Sequence, residues 1–312
     1  MLYISESEYM ELVKKERNIF FKNSFDRAYH SFVKLGFDKK EPSFFIENAS
    51  QIVEEMREQC WNDFLEEESL FTVHMLKKLI HEETVNKFRP KEAVEWYVET
   101  YPNHIYALNL SNTQSRRSRA GKEFENIIEL ILLGAGVSLD SQGNIGKDCF
   151  MDKGLGKLVD TVSPGVIEFE ENKRNTVLIS AKTTLRERWQ EVPEEMGRTG
   201  AREMFLATLD EKISNDVLRT LYEANIQVTT TKKLKETKYS KNNAVLSFEE
   251  LIKICLENSG KWNSYIFKKE QLEQAVLLSQ KQIDKHEEHD FVKERFTKRL
   301  TLYKEKLQDL LK

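Results

Sequence analysis

The stretch between residues 148 and 232 constrains the fold more than any other part of this sequence. Three short β-branched runs, Lys157–Val162 (KLVDTV), Gly165–Phe169 (GVIEF) and Thr176–Lys182 (TVLISAK), follow one another there between Gly, Pro, Asn and Lys turns. Met204–Leu209 and Ile226–Thr230 read as further strands, with a helix near Ser214–Ala224 between them. Strands this short bury their apolar faces only as part of a sheet covered by another layer. The predicted order β-β-β-α-β-α therefore gives an α/β fold with a mixed sheet flanked by helices.

The flanks have a different period. Apolar residues recur every three or four positions over Glu8–Lys15, Ile46–Phe64 and Ser69–His81, which predicts helices. His104–Ser115 (HIYALNLSNTQS) reads as a polar connection. An amphipathic helix follows over Ser118–Leu133, with Phe124, Ile127, Ile128 and Ile131 on one side, and Gly134–Val137 ends it. Phe248–Leu256 and Glu270–Leu311 return to helix. The expected organisation is a mainly helical region at 1–100, an α/β core at 101–257 and a helical segment at 258–312, together one compact domain.

Composition removes several function classes. Among 312 residues, 39% are hydrophobic and 32% charged, the balance of a globular chain. No run of 18 apolar residues exists, so no membrane span is expected. The N-terminus carries acids where a signal peptide would carry a basic and then an apolar region, which predicts a cytoplasmic protein. Cys60, Cys149 and Cys255 stand far apart, as free thiols would, and zinc is not expected. With 48 basic against 52 acidic residues, the chain does not coat nucleic acid by charge alone. One basic cleft on an acidic exterior is still compatible with that balance.

The residues with chemical potential are Asp160, then Lys182, then Glu195. Hydrolysis of a phosphodiester needs charge neutralised on the phosphate and an activated water. Two carboxylates, Asp160 and Glu195, can hold Mg²⁺, a hard ion that keeps positions for water and phosphate. A lysine beside them can orient the water and stabilise developing charge. Alone, this spacing also fits a solvated aspartate and a surface lysine. Between the last two members stands Arg186-Glu187-Arg188. Arginine can donate two bonds to guanine and glutamate can accept from cytosine, so the block suits adjacent C·G pairs. Thr184-x-x-Glu187 also has capping-box spacing, which predicts a helix start here; the block would otherwise be a cap with surface ion pairs. Upstream, Gln114-Ser-Arg-Arg-Ser-Arg119 offers Arg116, Arg117 and Arg119 for DNA phosphates and Gln114 for a base edge. His286-Glu-Glu-His289 lacks the spacing of a zinc helix and reads as a solvated helix face.

The segment from Lys182 through Thr-Leu-Arg-Glu-Arg-Trp to Glu195 resembles the type II restriction endonucleases related to SsoII, EcoRII, PspGI and NgoMIV, the SsoII-type enzymes most of all. The likeness is most specific over residues 115–195. It implies a restriction-endonuclease-like PD-(D/E)XK core with helical N- and C-terminal additions. The general motif has an acid two residues before the lysine, where this chain has Ser180; the group supplies that acid from the next helix, which favours Glu195 over Glu194. The resemblance also implies Glu125 as a further acid at the site. Arg57 and Trp61 would stack a base extruded from the duplex, against the plainer reading of a core tryptophan under an arginine. It further implies double-stranded DNA as substrate, Mg²⁺ as cofactor, a homodimer on a palindromic CCNGG site cut before the first C to leave five-nucleotide 5′ overhangs, and a methyltransferase of matching specificity. A repair or mismatch nuclease of the same fold, or a non-catalytic sequence-specific DNA-binding protein, are the alternatives.

Overall fold

Val177–Lys182 is a strand whose first five residues are buried, a near-continuous apolar run of the kind a central strand presents. It is the third of six strands in one sheet: β1 (Asp140–Ser141), β2 (Thr161–Ser163), β3 (Val177–Lys182), β4 (Met204–Thr208), β5 (Ile226–Thr230) and β6 (Val245–Ser247), in that spatial order. β1, β2 and β3 pair antiparallel, whereas β3 to β6 run parallel. The sheet is therefore mixed, as the run of patterns predicts. The helices Glu191–Thr199, Asn215–Glu223 and Lys232–Lys238 make its right-sized crossovers.

The computed structural model describes residues 4–311, apart from the side chain of Arg188. It divides into two units that interleave along the chain: Met1–Ser31 with Arg57–Glu123, and Phe32–Met56 with Phe124–Lys312. The sheet belongs wholly to the second. Its core joins Leu178, Leu206 and Val228 of the strands to Phe150, Phe169 and Leu221. Each such side chain contributes roughly 1.5–3 kcal/mol by leaving water. The first unit is helical, with Tyr9, Val13, Phe64, Phe71, Tyr101 and Leu108 at its centre. Among the described residues, no helix is long and apolar enough to cross a membrane.

Several local expectations are corrected. His104–Ser115 is not a connection but part of one helix, Pro102–Gly134. Its buried stripe there is His104, Leu108 and Asn112; His104 Nε2 donates to Ile4 O, and Asn112 donates to Thr72 Oγ1 and accepts from Arg17. A polar residue on the inner face hides the apolar period. The expected helices 46–64 and 69–81 run together within Pro42–Lys77, which is kinked at Asn48 rather than broken near Glu68; Glu68 is buried and accepts from Arg116. Gly165–Phe169 is not a strand: Val166–Glu171 is helical, with Val166–Phe169 buried on every side and the Val166 amide donated to Asp140 (2.8 Å). Lys157–Val162 shrinks to β2, because Glu195 takes the Leu158 amide (3.2 Å) and holds the preceding residues out of the sheet. His286 is not on a solvated face. It is buried in the turn between the helices Lys269–Lys285 and Asp290–Leu310, its Nε2 2.9 Å from Asn144, and burial pushes its pKa down to about 3. Cys60 and Cys255 are buried free thiols, and Cys149 is half-buried.

Candidate active site

Asp160 and Lys182 meet because of strand register. β2 and β3 are antiparallel with Thr161 opposite Ile179, and the Asp160 amide donates to Ile179 O (2.9 Å). Asp160 thus lies one residue before β2, beside the end of β3. Its Oδ2 accepts from the Ala181 amide (2.7 Å) and from Lys182 Nζ (2.9 Å). Both bonds fall on one oxygen, so Oδ1 has no protein donor among the described residues. The side chains are 11% and 15% exposed, respectively. A pair this dry contributes little net stability, since desolvation offsets its attraction. Beside them Ser180, in the place where the general motif has an acid, is fully buried with its hydroxyl unpartnered.

Glu195 approaches from the helix Glu191–Thr199. It is 8% exposed, and its Oε1 accepts the Leu158 amide two residues ahead of Asp160. The neighbouring Glu194 is 71% exposed and pairs with Arg198. Geometry thus separates two adjacent glutamates that spacing alone left equivalent. Gly156 is a residue that sequence reading missed: a Cβ there would lie 1.7 Å from Glu195 Oε1. The signal was available in the Lys-Gly-Leu-Gly-Lys turn at 153–157, but a glycine in a turn has many commoner explanations.

Glu125 lies half-buried on the second-unit portion of the Pro102–Gly134 helix. One turn on, Glu129 is buried, accepts from Asn144 (2.6 Å), and has its pKa pushed up to about 7, mainly by burial. Asn144 sits in the short helix Gln142–Ile145, whose first amide donates to Asp160 O (2.9 Å). The helix bearing Glu125 is thereby tied to the backbone of the Asp160 strand.

Past Lys182 the chain does not enter an α-helix at Thr184. Arg186 takes a left-handed φ of 43° and opens a 3₁₀ turn, Arg186–Gln190; the α-helix starts only at Glu191. Within the segment where the helix start was expected, the Leu185 amide goes to Asp210 Oδ2 (2.9 Å). A left-handed arginine costs about 1–3 kcal/mol, a strain that persists only where neighbours enforce it. Arg186 and Glu187 are exposed; the Arg188 side chain lies outside the described residues. Thr184, Leu185, Arg186, Trp189, Lys212 and Ile213 line a concavity of about 370 Å³ at this turn.

The first unit holds the other expected residues. Gln114 and Arg117 are exposed. Arg116 bonds Glu68 through Nε (2.8 and 3.0 Å) and Nη2. Arg119 lies over the Phe21 ring at 4.3 Å, with burial and the nearby Arg27 and Arg17 pushing its pKa down to about 10. Arg57 donates to Ala120 O (3.1 Å) rather than stacking on Trp61, and the indole is 43% exposed. Trp61 is therefore not the core tryptophan of the plainer reading.

The donor chemistry suits a hard divalent cation. Asp160 Oδ1 and the Glu195 carboxylate are oxygen donors, and Mg²⁺ commonly takes one or two carboxylates and fills its shell with water and phosphate. Among the described residues, no cluster of three or more His, Cys, Asp or Glu side chains forms a ready-made cage.

Known proteins resemble the chain closely. The model of the EcoRII-C family, described as EcoRII C terminal, matches residues 79–252, more than half of the sequence. The type II restriction enzyme SsoII of Shigella sonnei is 48% identical over 304 residues, covering 96% of this chain and 99% of that enzyme. Among solved structures, metal-depleted Ecl18kI in complex with uncleaved DNA superposes with a TM-score of 0.88 at 47% identity, over 96% of this chain and 100% of that one. The complex of the restriction endonuclease PspGI with substrate DNA superposes with a TM-score of 0.56 at 15% identity, over 77% of this chain and 94% of that one, a likeness of fold alone.

Proposed function

This chain belongs to the EcoRII-C family of type II restriction endonucleases, and from that premise we propose that it cuts double-stranded DNA at the palindrome CCNGG, before the first C, leaving five-nucleotide 5′ overhangs. The observation that carries the reading is the joint placement of Asp160 and Lys182, with Asp160 Oδ1 open, at the end of the strand that leads directly into Arg186 and Glu187.

Asp160 and Glu195 would hold Mg²⁺, which when bound supplies positive charge at the phosphate and lowers the pKa of the attacking water. Lys182 Nζ, already oriented by Asp160, donates to that water or to a phosphate oxygen and stabilises charge as it develops. Glu125 adds a third acid to the site. Arg186, Glu187 and Arg188 read the C·G pairs, Gln114 reads a further base edge, and Arg116, Arg117 and Arg119 hold backbone phosphates. For Arg116 and Arg119 this requires exchanging Glu68 and the Phe21 ring for DNA. Trp61, exposed as a stacking platform must be, and Arg57 receive an extruded central base. A palindrome calls for two-fold symmetry, so the enzyme acts as a homodimer with one site per strand. In the cytoplasm a methyltransferase of the same specificity would protect host DNA.

Digestion of a plasmid of known sequence tests this. Discrete Mg²⁺-dependent fragments whose ends map to CCNGG are expected. Nicks confined to lesions or mismatches would point to a repair nuclease, and binding without cleavage to a regulator; either outcome overturns the proposal.

A further inference from the structure

The structure carries a brace behind the turn that joins cutting to reading. Only Thr183, Thr184 and Leu185 separate Lys182 from Arg186, and Thr183 and Leu185 are both bonded to residues just past the end of β4. β3 and β4 run parallel to the pair Lys182–Thr208. Beyond it, the Leu209 amide donates to Thr183 O (3.3 Å). Asp210 then takes the Leu185 amide on Oδ2 (2.9 Å) and the Lys212 amide on Oδ1 (3.0 Å), while its own amide donates to Thr208 Oγ1 (3.2 Å). The next residue after Leu185 is Arg186, held at φ 43°.

Asp210 is itself fixed from behind. Tyr239, 6% exposed at the end of the helix Lys232–Lys238, donates its hydroxyl to Asp210 O (2.6 Å) and accepts the Ile213 amide (3.2 Å) on the same oxygen. The phenol thus closes the Asp210–Ile213 loop into a rigid bracket. Asp210 carries the bracket into the Lys182–Arg186 segment through its bond to the Leu185 amide. A carboxylate accepting two backbone amides has little rotational freedom, so its geometry transmits to the Leu185 amide with little slack.

We propose that Asp210, braced by Tyr239, is a positioning residue for site selectivity: it holds the bend after Lys182 so that Arg186 and the lysine are set in one geometry. This rests on the reading of Lys182 and Arg186 given above. Without the brace, Arg186 relaxes from its left-handed conformation, and a correct base contact no longer places the lysine. Selectivity then falls together with rate, whereas a part that merely stabilised the fold would lower both cognate and near-cognate cleavage equally.

The test measures single-turnover cleavage and binding of the homodimer on two duplexes. One carries the enzyme's own site, as mapped by plasmid digestion, and the other the same site with one base pair changed. Asp210→Ala is expected to slow cognate cleavage roughly 10²-fold, the scale of a catalytic group misplaced by about 1 Å. It should also narrow the ratio of cognate to altered-site rates by at least about tenfold, with a smaller loss of binding. Asp210→Asn keeps an oxygen for the Leu185 amide and should recover most of both. Tyr239→Phe, which keeps the ring, should shift rate and ratio in the same direction by less, and serves where Asp210→Ala does not fold. An unchanged cognate-to-altered ratio in folded Asp210→Ala or Tyr239→Phe overturns the proposal. Lys182→Ala and Arg186→Ala run alongside: if the first still cuts or the second still binds specifically, the underlying site reading fails, and the brace with it. If both controls lose function and the Asp210 variants do not, only the brace fails.

Discussion

Asp140, in β1, and Asp160, one residue before β2, each pair with a cation, and they differ in what is left over. Asp140, 1% exposed, accepts from Arg299 (2.6 and 3.3 Å), from Gln282 (2.9 Å) and from the Val166 amide (2.8 Å), which uses both of its oxygens. Asp160 accepts two bonds on Oδ2 and keeps Oδ1. The first pair is a clasp that fastens the helix Asp290–Leu310 to β1. The second is a half-filled shell with a strand end leading away from it. An ion pair is common to both; what sets Asp160 apart is an acceptor with no donor among the described residues.

Substitutions ordered by expected effect break that comparison or sharpen it. Lys182→Ala should reduce cleavage by roughly 10⁴-fold, the upper range for a positioned proton-transfer or charge-stabilising group, while the fold persists; a gel of plasmid digestion at matched enzyme concentrations reads this directly. Arg299→Ala should do the reverse. It strands the Asp140 carboxylate in the interior and destabilises the fold by about 3–5 kcal/mol, whereas Arg299→Met with Asp140→Asn should restore most of that. Urea midpoints decide it, and a single variant as stable as the parent would show that the clasp is idle.

Glu129 is a third buried carboxylate, and its pKa of about 7 sets a pH window. The folded state holds this proton more tightly than the unfolded chain, whose glutamate titrates near 4.5. The associated stability is therefore complete below about pH 4.5 and is lost as the pH rises through 7, a change of about 3 kcal/mol at most. Glu129→Gln should remove that dependence, so the variant gains on the parent between pH 5 and pH 8; equal slopes in both proteins would refute it. Smaller still in stability, Gly156→Ala should displace the Glu195 side chain from Cγ outward. Cleavage then drops roughly 10²-fold with little change in melting temperature. Glu194→Ala provides the baseline for it: an exposed partner in a surface pair contributes under about 1 kcal/mol, and cutting should be unaltered.

The reading of the chain succeeded where local pattern and burial agree. TVLISAK announced β3 because a central strand covered on both faces is apolar on both, and Met204–Leu209 and Ile226–Thr230 followed the same rule. It failed where burial erased the period. Val166–Phe169 is buried on all sides, and a short apolar run does not distinguish strand from helix. His104 and Asn112 are polar on an inner face, so the Pro102–Gly134 helix looked interrupted. The pair His286 and His289 looked solvated because its partner Asn144 is far away in sequence.

By itself, the sequence determined the mixed sheet, the strand that ends at Lys182, the family resemblance and the candidate residues, since each of these rests on residues close together along the chain. The tertiary structure decided how those residues are held. Strand register brought Asp160 to Lys182, a glycine-sized gap at Gly156 admitted Glu195 and left Glu194 to solvent, and Asp210 turned an expected helix start into a left-handed bend at Arg186. Those outcomes depend on hydrogen bonds and close approaches between segments that a local pattern does not encode.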